Sequence, residues 1–159
     1  MEKIYEAEKN LRTLDHMVYV TFPLIKEKRL LLKIVQEIKK VVTNCITSIL
    51  QYEYLYKRIN LYKDSGENFR TFTEKCAPRY GISRDEINLI LRLFDFVEKH
   101  KKSPFEFVRD DKIVILSENS KPATLTLERT KEFLIMAKEI LRKTKDGMKA
   151  DTSSIGRKV

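Results

Sequence analysis

The chain has no tryptophan, and its 159 residues include four glycines, four prolines and two cysteines. Each scarcity excludes a chemistry. Four unpaired glycines leave no glycine-rich phosphate loop and so no P-loop nucleotide hydrolysis. Cys45 and Cys76 make no Cys-x-x-Cys, and there is no His-Glu-x-x-His, which argues against a zinc site. The two thiols fit small buried residues in a reducing compartment. No serine sits in a nucleophile-elbow setting. Long apolar runs are missing as well. The charge-free stretch Val41–Tyr52 has about twelve residues, and a spanning helix needs about twenty. Residues 1–15 are charged throughout, unlike a signal peptide. These absences point to a cytoplasmic protein with no membrane partner, and they imply no metal and no cofactor.

Charge is what the chain has in excess. Charged residues make up 35% and apolar residues 42%, with a net charge of +9 and a pI near 9.5. The apolar share supports one core, and the length suits one domain. A basic surface attracts phosphate backbones, acidic proteins and other polyanions, and the plainer reading is a lysine-rich proteome. Few glycines and prolines with much charge suit long helices with salt-bridged outer faces.

Apolar residues recur at three and four through Ile4, Ala7, Leu11, Leu14 and Val18, predicting a helix over 2–20 that Pro23 ends or kinks. Residues 26–63 keep a helical period with no Gly or Pro. They predict one central helix roughly 55 Å long, stopped at Asp64-Ser65-Gly66. A short helix over 67–77 carries Phe69, Phe72 and Cys76 and breaks at Pro78 and Gly81. Ser83-Arg84-Asp85-Glu86 is a capping-box pattern opening a helix over 84–100 that buries Ile87, Ile90, Leu91, Phe94 and Val97. Ser103-Pro104-Phe105-Glu106 reads as a second box opening one or two turns. Lys112–Ser117 reads as a strand, Asn119, Ser120 and Pro122 as a turn, and 123–127 as the returning strand. Thr126 caps a last helix over 127–144, closed by Gly147, leaving a flexible basic tail over 146–159. The fold class is mainly α. One domain over 1–145 is a helical bundle built on the long helix 26–63, with a small β-hairpin at 112–127 before the last helix.

Two histidines are candidates for acid–base chemistry. Arg12 and His16 share a helix face, so the pair could bind a phosphate and move a proton. The plainer reading is a surface histidine. His100 lies in Lys99-His100-Lys101-Lys102 at a helix end, with Arg92 earlier on the same helix. The negative end of the helix dipole accounts for that cluster, and a phosphate-contact patch is its functional reading. Tyr52, Tyr54, Tyr56 and Tyr62 are interleaved with Lys57 and Arg58, a pattern that can stack bases and pair phosphates. Tyr52, Tyr56, Ile59 and Tyr62 also share the spacing of a core or interface stripe, which leaves Tyr54 as the exposed contact.

The segment Val41–Tyr52 says most. At 35% charged, twelve residues should hold about four charges, and these hold none. Thr43, Asn44, Thr47, Ser48 and Gln51 form an uncharged polar stripe where a surface helix carries Lys and Glu. The outer face is therefore expected to be covered, by another helix of the chain or by a second copy in a dimer.

Long antiparallel helices, a basic balance and the Arg/His pairs resemble the HEPN group of small helical domains over about residues 1–100. The chain is also similar in character to small archaeal helical proteins. The HEPN resemblance implies dimerisation and, in active members, metal-independent ribonuclease or nucleotide-binding activity. Those members carry an Arg followed by four to six residues and a His. Here three residues separate Arg12 from His16 and seven separate Arg92 from His100. The function expected from sequence is a non-enzymatic helical binding or scaffold protein, self-associating through the long helix, with a basic surface for RNA or another polyanion. A HEPN-like ribonuclease or nucleotide-binding protein is one alternative, and a subunit of a hetero-oligomeric complex is another.

Overall fold

The computed structural model describes residues 2–103, 105–109, 112–116 and 122–156. The chain is mainly helical, with a small antiparallel sheet inserted before the last helix. The central element is α3, Leu30–Leu55. Its fully buried Leu31, Ile34, Val35, Ile38, Val41, Val42, Cys45 and Ile49 form the axis of the core. Helix α1, Glu2–His16, lays Ile4, Ala7, Leu11 and Leu14 against it. Helix α7, Leu127–Gly156, closes the other side with Phe133, Leu134, Ala137, Ile140 and Leu141, the residues its periodicity names.

Pro23 does not end the first helical run and Pro78 does not break the second, which continue to Ile25 and Tyr80. In each case a π turn precedes the proline. Met17–Thr21 joins α1 to α2, Phe22–Ile25, and Phe72–Cys76 joins α4, Ser65–Thr71, to α5, Ala77–Tyr80. The amide of Phe22 donates to Met17 O and that of Ala77 to Phe72 O, each spanning five residues. A proline in an α-helix removes one amide donor and presses its ring on the carbonyl four residues back. The wider turn displaces that carbonyl, so the helix continues past the ring. Helix α5 ends at Gly81, which adopts the left-handed conformation (φ 70°) that glycine tolerates.

The long helix is shorter than its periodicity predicts. It stops at Leu55 because Lys57 turns left-handed (φ 61°). The amide of Arg58 donates to Glu53 O at 3.0 Å and that of Lys57 to Tyr54 O at 2.9 Å. This is a Schellman closure with lysine where glycine is usual. Tyr56 and Tyr62 consequently leave the stripe and are exposed, while Ile59 stays buried. Asp64-Ser65-Gly66 starts a helix and does not stop one: the Asp64 carboxylate accepts from the Gly66 amide and caps α4.

Helix α6, Arg84–Lys102, opens on the predicted capping box, Ser83 and Glu86 bonding each other's amides at 3.1 and 2.9 Å. Its buried stripe is Ile90, Leu93, Phe96 and Val97. Leu91, expected inside, is 47% exposed. The expected turns after Ser103 are a strand. β1 is Phe105–Arg109, β2 is Lys112–Leu116 and β3 is Pro122–Leu125, in order β1-β2-β3 and all antiparallel. Ser103 caps the end of α6, and its hydroxyl donates to Leu116 O. The hairpin is thus three strands, and Pro122, expected in the turn, begins β3. The Asn119–Ser120 turn lies outside the described residues. Thr126 caps α7 as expected, accepting from the Arg129 amide at 3.1 Å.

Gly147 does not close α7, which runs on to Gly156, so residues 146–156 are helical and 157–159 lie outside the described residues. Gly147 meets the ring of Tyr80. A Cβ added there would stand 2.4 Å from Tyr80 Cδ2. No helix among the described residues is long and apolar enough to cross a membrane.

Candidate functional site

Among the described residues, neither Arg/His pair is gathered into any of four surface grooves. His100 is tied inward: its Nδ1 lies 3.1 Å from Gln36 Nε2 on α3, and its Nε2 lies 2.9 Å from Glu106 Oε2 on β1. With Gln36 as donor, the ring is the Nε2–H tautomer and donates to the carboxylate. Glu106 also faces Arg29 at 3.8 Å. The histidine pins the sheet to two helices. Arg92 lies elsewhere on α6, in a groove with Thr124, Arg129 and Phe133. His16 is exposed, its Nδ1 3.4 Å from Thr21 Oγ1.

Arg12 takes part in a different arrangement. Glu8, Arg12, Asp15 and Tyr19 follow at four, three and four, so they share one side of the first helical segment. That side meets α7. Glu8 pairs with Lys145 and Asp15 with Lys138. The Tyr19 ring lies beneath the ammonium groups of Lys131 and Lys138, 5.4 and 5.7 Å from its centroid. On α7, Lys131, Lys138, Arg142, Lys145 and Lys149 follow at seven, four, three and four. They form a cationic line over roughly 27 Å of one helix side. Leu11 and Leu141 line the groove of about 280 Å³ that runs between the helices. Tyr5, Arg12 and Tyr19 repeat at seven along the chain, and all three are exposed, Tyr5 65% and Tyr19 46%.

Carboxylates occupy part of this line: Asp15 and Glu8 from α1, Glu139 and Asp146 on Arg142. The Arg142 and Lys138 pairs are largely open to solvent, where such contacts contribute about 0–1 kcal/mol, and the Glu8–Lys145 pair is part-buried. Arg12, Lys131 and Lys149 have no carboxylate partner among the described residues. The helical spacing on α7 was legible in the sequence. The pairing of that face with Glu8, Asp15 and Tyr19 was not, because it depends on how α1 docks.

The other cationic candidates are engaged locally. Lys99 pairs with Asp95 and Lys102 with Glu98 along α6, while Lys101 is exposed. Lys57 sits at the left-handed turn beside exposed Tyr54. Arg58 faces inward to Glu53 and lies over the Tyr56 ring at 4.8 Å.

The uncharged stripe borders an open groove. Ser48 is buried, Asn44 and Thr47 are half-buried, and Thr43 and Gln51 are exposed. Thr43, Thr47 and Gln51 line a groove of about 480 Å³ together with Leu61, Phe69 and Phe94. None of the side chains lining it is charged.

Glu53 is a buried carboxylate that sequence reasoning missed. It is 1% exposed, 2.8 Å from Arg58 Nη1 and 3.3 Å from Arg79 Nε. Tyr80 is buried beside it. Burial first, then the Glu53 charge, pushes the Tyr80 phenol well above its ordinary range. The Tyr80 hydroxyl and Glu53 Oε1 lack aligned hydrogen bonds to described residues. The cluster fastens α3, the turn after it and α5 together, and it opens onto none of the grooves described. Burial also pushes the Cys45 thiol up to about 12 against a Thr144 hydrogen bond, and the Cys76 thiol up to about 11 with help from Glu53. Thiolate is the reactive form, so neither cysteine is expected to react with a thiol reagent at pH 8 until the chain unfolds. Rapid labelling of the native protein would contradict this. The unfolded thiols lose their protons near pH 9 and the folded ones later, so folding stability is expected to fall as pH rises above about 9.

Comparison with protein-family models, curated proteins and solved structures finds no match to the chain.

Proposed function

We propose that this protein is a non-enzymatic helical binding module that engages a polyanion along the α1–α7 seam. The line of five cations on α7, joined by Arg12 from α1, carries this reading. Phosphates repeat along a strand, and a line of cations offers a matching series of contacts. Catalysis by the HEPN-type pairs has less support, since neither pair shares one of the grooves described above. Salt dependence is the test. If about four phosphates are neutralised, affinity for a labelled nucleic acid should drop roughly fifty-fold between about 50 and 200 mM salt. Lys131→Gln with Lys149→Gln should flatten that slope. Salt-independent binding, or none at low salt, would sink the reading.

The same proposal includes self-association through the uncharged face of α3. A groove without a charged lining residue, in a chain that is 35% charged, supports it, because interface cores are depleted of charge. Thr47→Lys should then shift the sedimentation of the protein toward monomer without altering its circular dichroism. A wild-type monomer at high micromolar concentration would count against a dimer. Exposed Leu24 and Ile25, far along the chain from this groove, favour a different protein partner as the second reading.

A further inference from the structure

We infer that the polyanion of the α1–α7 seam is single-stranded nucleic acid and that Tyr19 stacks on one of its bases. This rests on the polyanion reading and narrows it. A generic polyanion needs cations alone, and a line of lysines on a helix would serve. The seam adds an exposed tyrosine, Tyr19, set against Lys131 and Lys138, and Arg12 and the exposed Tyr5 precede it on the first helical segment at heptad spacing. An aromatic ring bordered by cations is the arrangement that single strands use, because each nucleotide presents a base face and a phosphate together. A duplex keeps its base faces stacked inside and offers the ring nothing.

The position of Tyr19 fits the role. The residue is 46% exposed, and the ammonium groups of Lys131 and Lys138 lie over its ring. Lys131 has no carboxylate partner among the described residues, and Lys138 shares Asp15 across the seam. Each lysine is a flexible stem with a compact charge, able to turn from the ring to a phosphate and leave the ring face to a base. The apolar floor at Leu11 and Leu141 continues the groove toward Arg142 and Lys149, so a strand stacked on Tyr19 would meet further cations along its length.

The experiment measures fluorescence anisotropy of a labelled oligouridylate, an RNA duplex and a heparin fragment, each with the full chain, with Tyr19→Ala and with Tyr19→Phe. Tyr19→Ala is expected to weaken oligouridylate binding about tenfold while leaving duplex and heparin unchanged, and Tyr19→Phe to restore it. Tyr19 is half exposed, so a thermal melt should show both variants folded. Equal losses for all three probes with Tyr19→Ala, or no loss for any, would overturn the stacking role. Preference of the wild type for duplex or heparin over oligouridylate would overturn the single-strand assignment and leave the polyanion reading standing. Binding to none of the three at low salt would remove both.

Discussion

Glu53→Gln lowers folding stability by about 3 kcal/mol, measured as a fall in the urea midpoint at unchanged slope. The carboxylate is buried and serves two guanidiniums, Arg58 at 2.8 Å and Arg79 at 3.3 Å. Glutamine keeps the shape and removes the charge, leaving two cations facing a neutral amide. Removing one partner of a buried pair typically costs about 3–5 kcal/mol. The lower end applies because Arg58 and Arg79 are 28% and 44% exposed and recover some hydration. Arg58→Ala and Arg79→Ala should each cost less, since the carboxylate keeps one cation in either case. The Schellman closure sharpens the expectation. Glu53 and Arg58 are the two positions that usually meet there through an apolar contact, and here they meet through charge. The left-handed Lys57 is held by that contact. A midpoint shift worth less than about 0.5 kcal/mol would show that the ion pairs and the turn are independent.

Gly147→Ala destabilises the protein by about 2 kcal/mol, although alanine is the better helix former by about 1 kcal/mol. The added methyl would meet Tyr80 Cδ2 at 2.4 Å and Cε2 at 2.5 Å. Tyr80 is 6% exposed and lies against the Glu53 cluster, so its ring has little room to retreat. Either the ring leaves its position or α7 lifts from α5. Gly66→Ala is the control. Its methyl would meet only the Asp64 carboxyl, at 3.6 Å or beyond, so neutral or slightly higher stability is expected. In a thermal melt the Gly147 variant should lose roughly 4–8 °C relative to the parent. A gain of stability from Gly147→Ala would mean that the Tyr80–α7 contact is absent in solution.

Local patterns carried much of the fold. The capping box at Ser83, the Thr126 cap and the apolar stripe of α7 are each set by neighbours within four residues, and each stands where the periodicity puts it. What was misread depends on distant partners. Residues 56–63 keep a helical apolar period, and only the approach of Arg79 and the turn of Arg58 onto Glu53 end the helix early. Gly147 looked like a helix stop because its other role, making room for Tyr80, lies 67 positions away in sequence. Phe105-Glu106-Phe107 alternates as a strand should, but Ser103-Pro104 ahead of it imitates a helix start. The candidate site divides in the same way. The cations of α7 could be counted from their spacing. That the α1 side carrying Glu8 and Asp15 meets those cations follows from the docking of α1.

The two π turns have a bearing on chain length. Each holds one residue more than an α turn in the same place would, and each leads into a proline that an unbroken α-helix would not accommodate. The insertion and the proline therefore form a linked pair. A chain lacking one residue within Met17–Thr21 and carrying alanine for Pro23 could run as plain α-helix from α1 into α2, with the contacts on both sides in register. Relatives of this protein would then differ by single-residue gaps at these two places, each gap accompanied by loss of its proline.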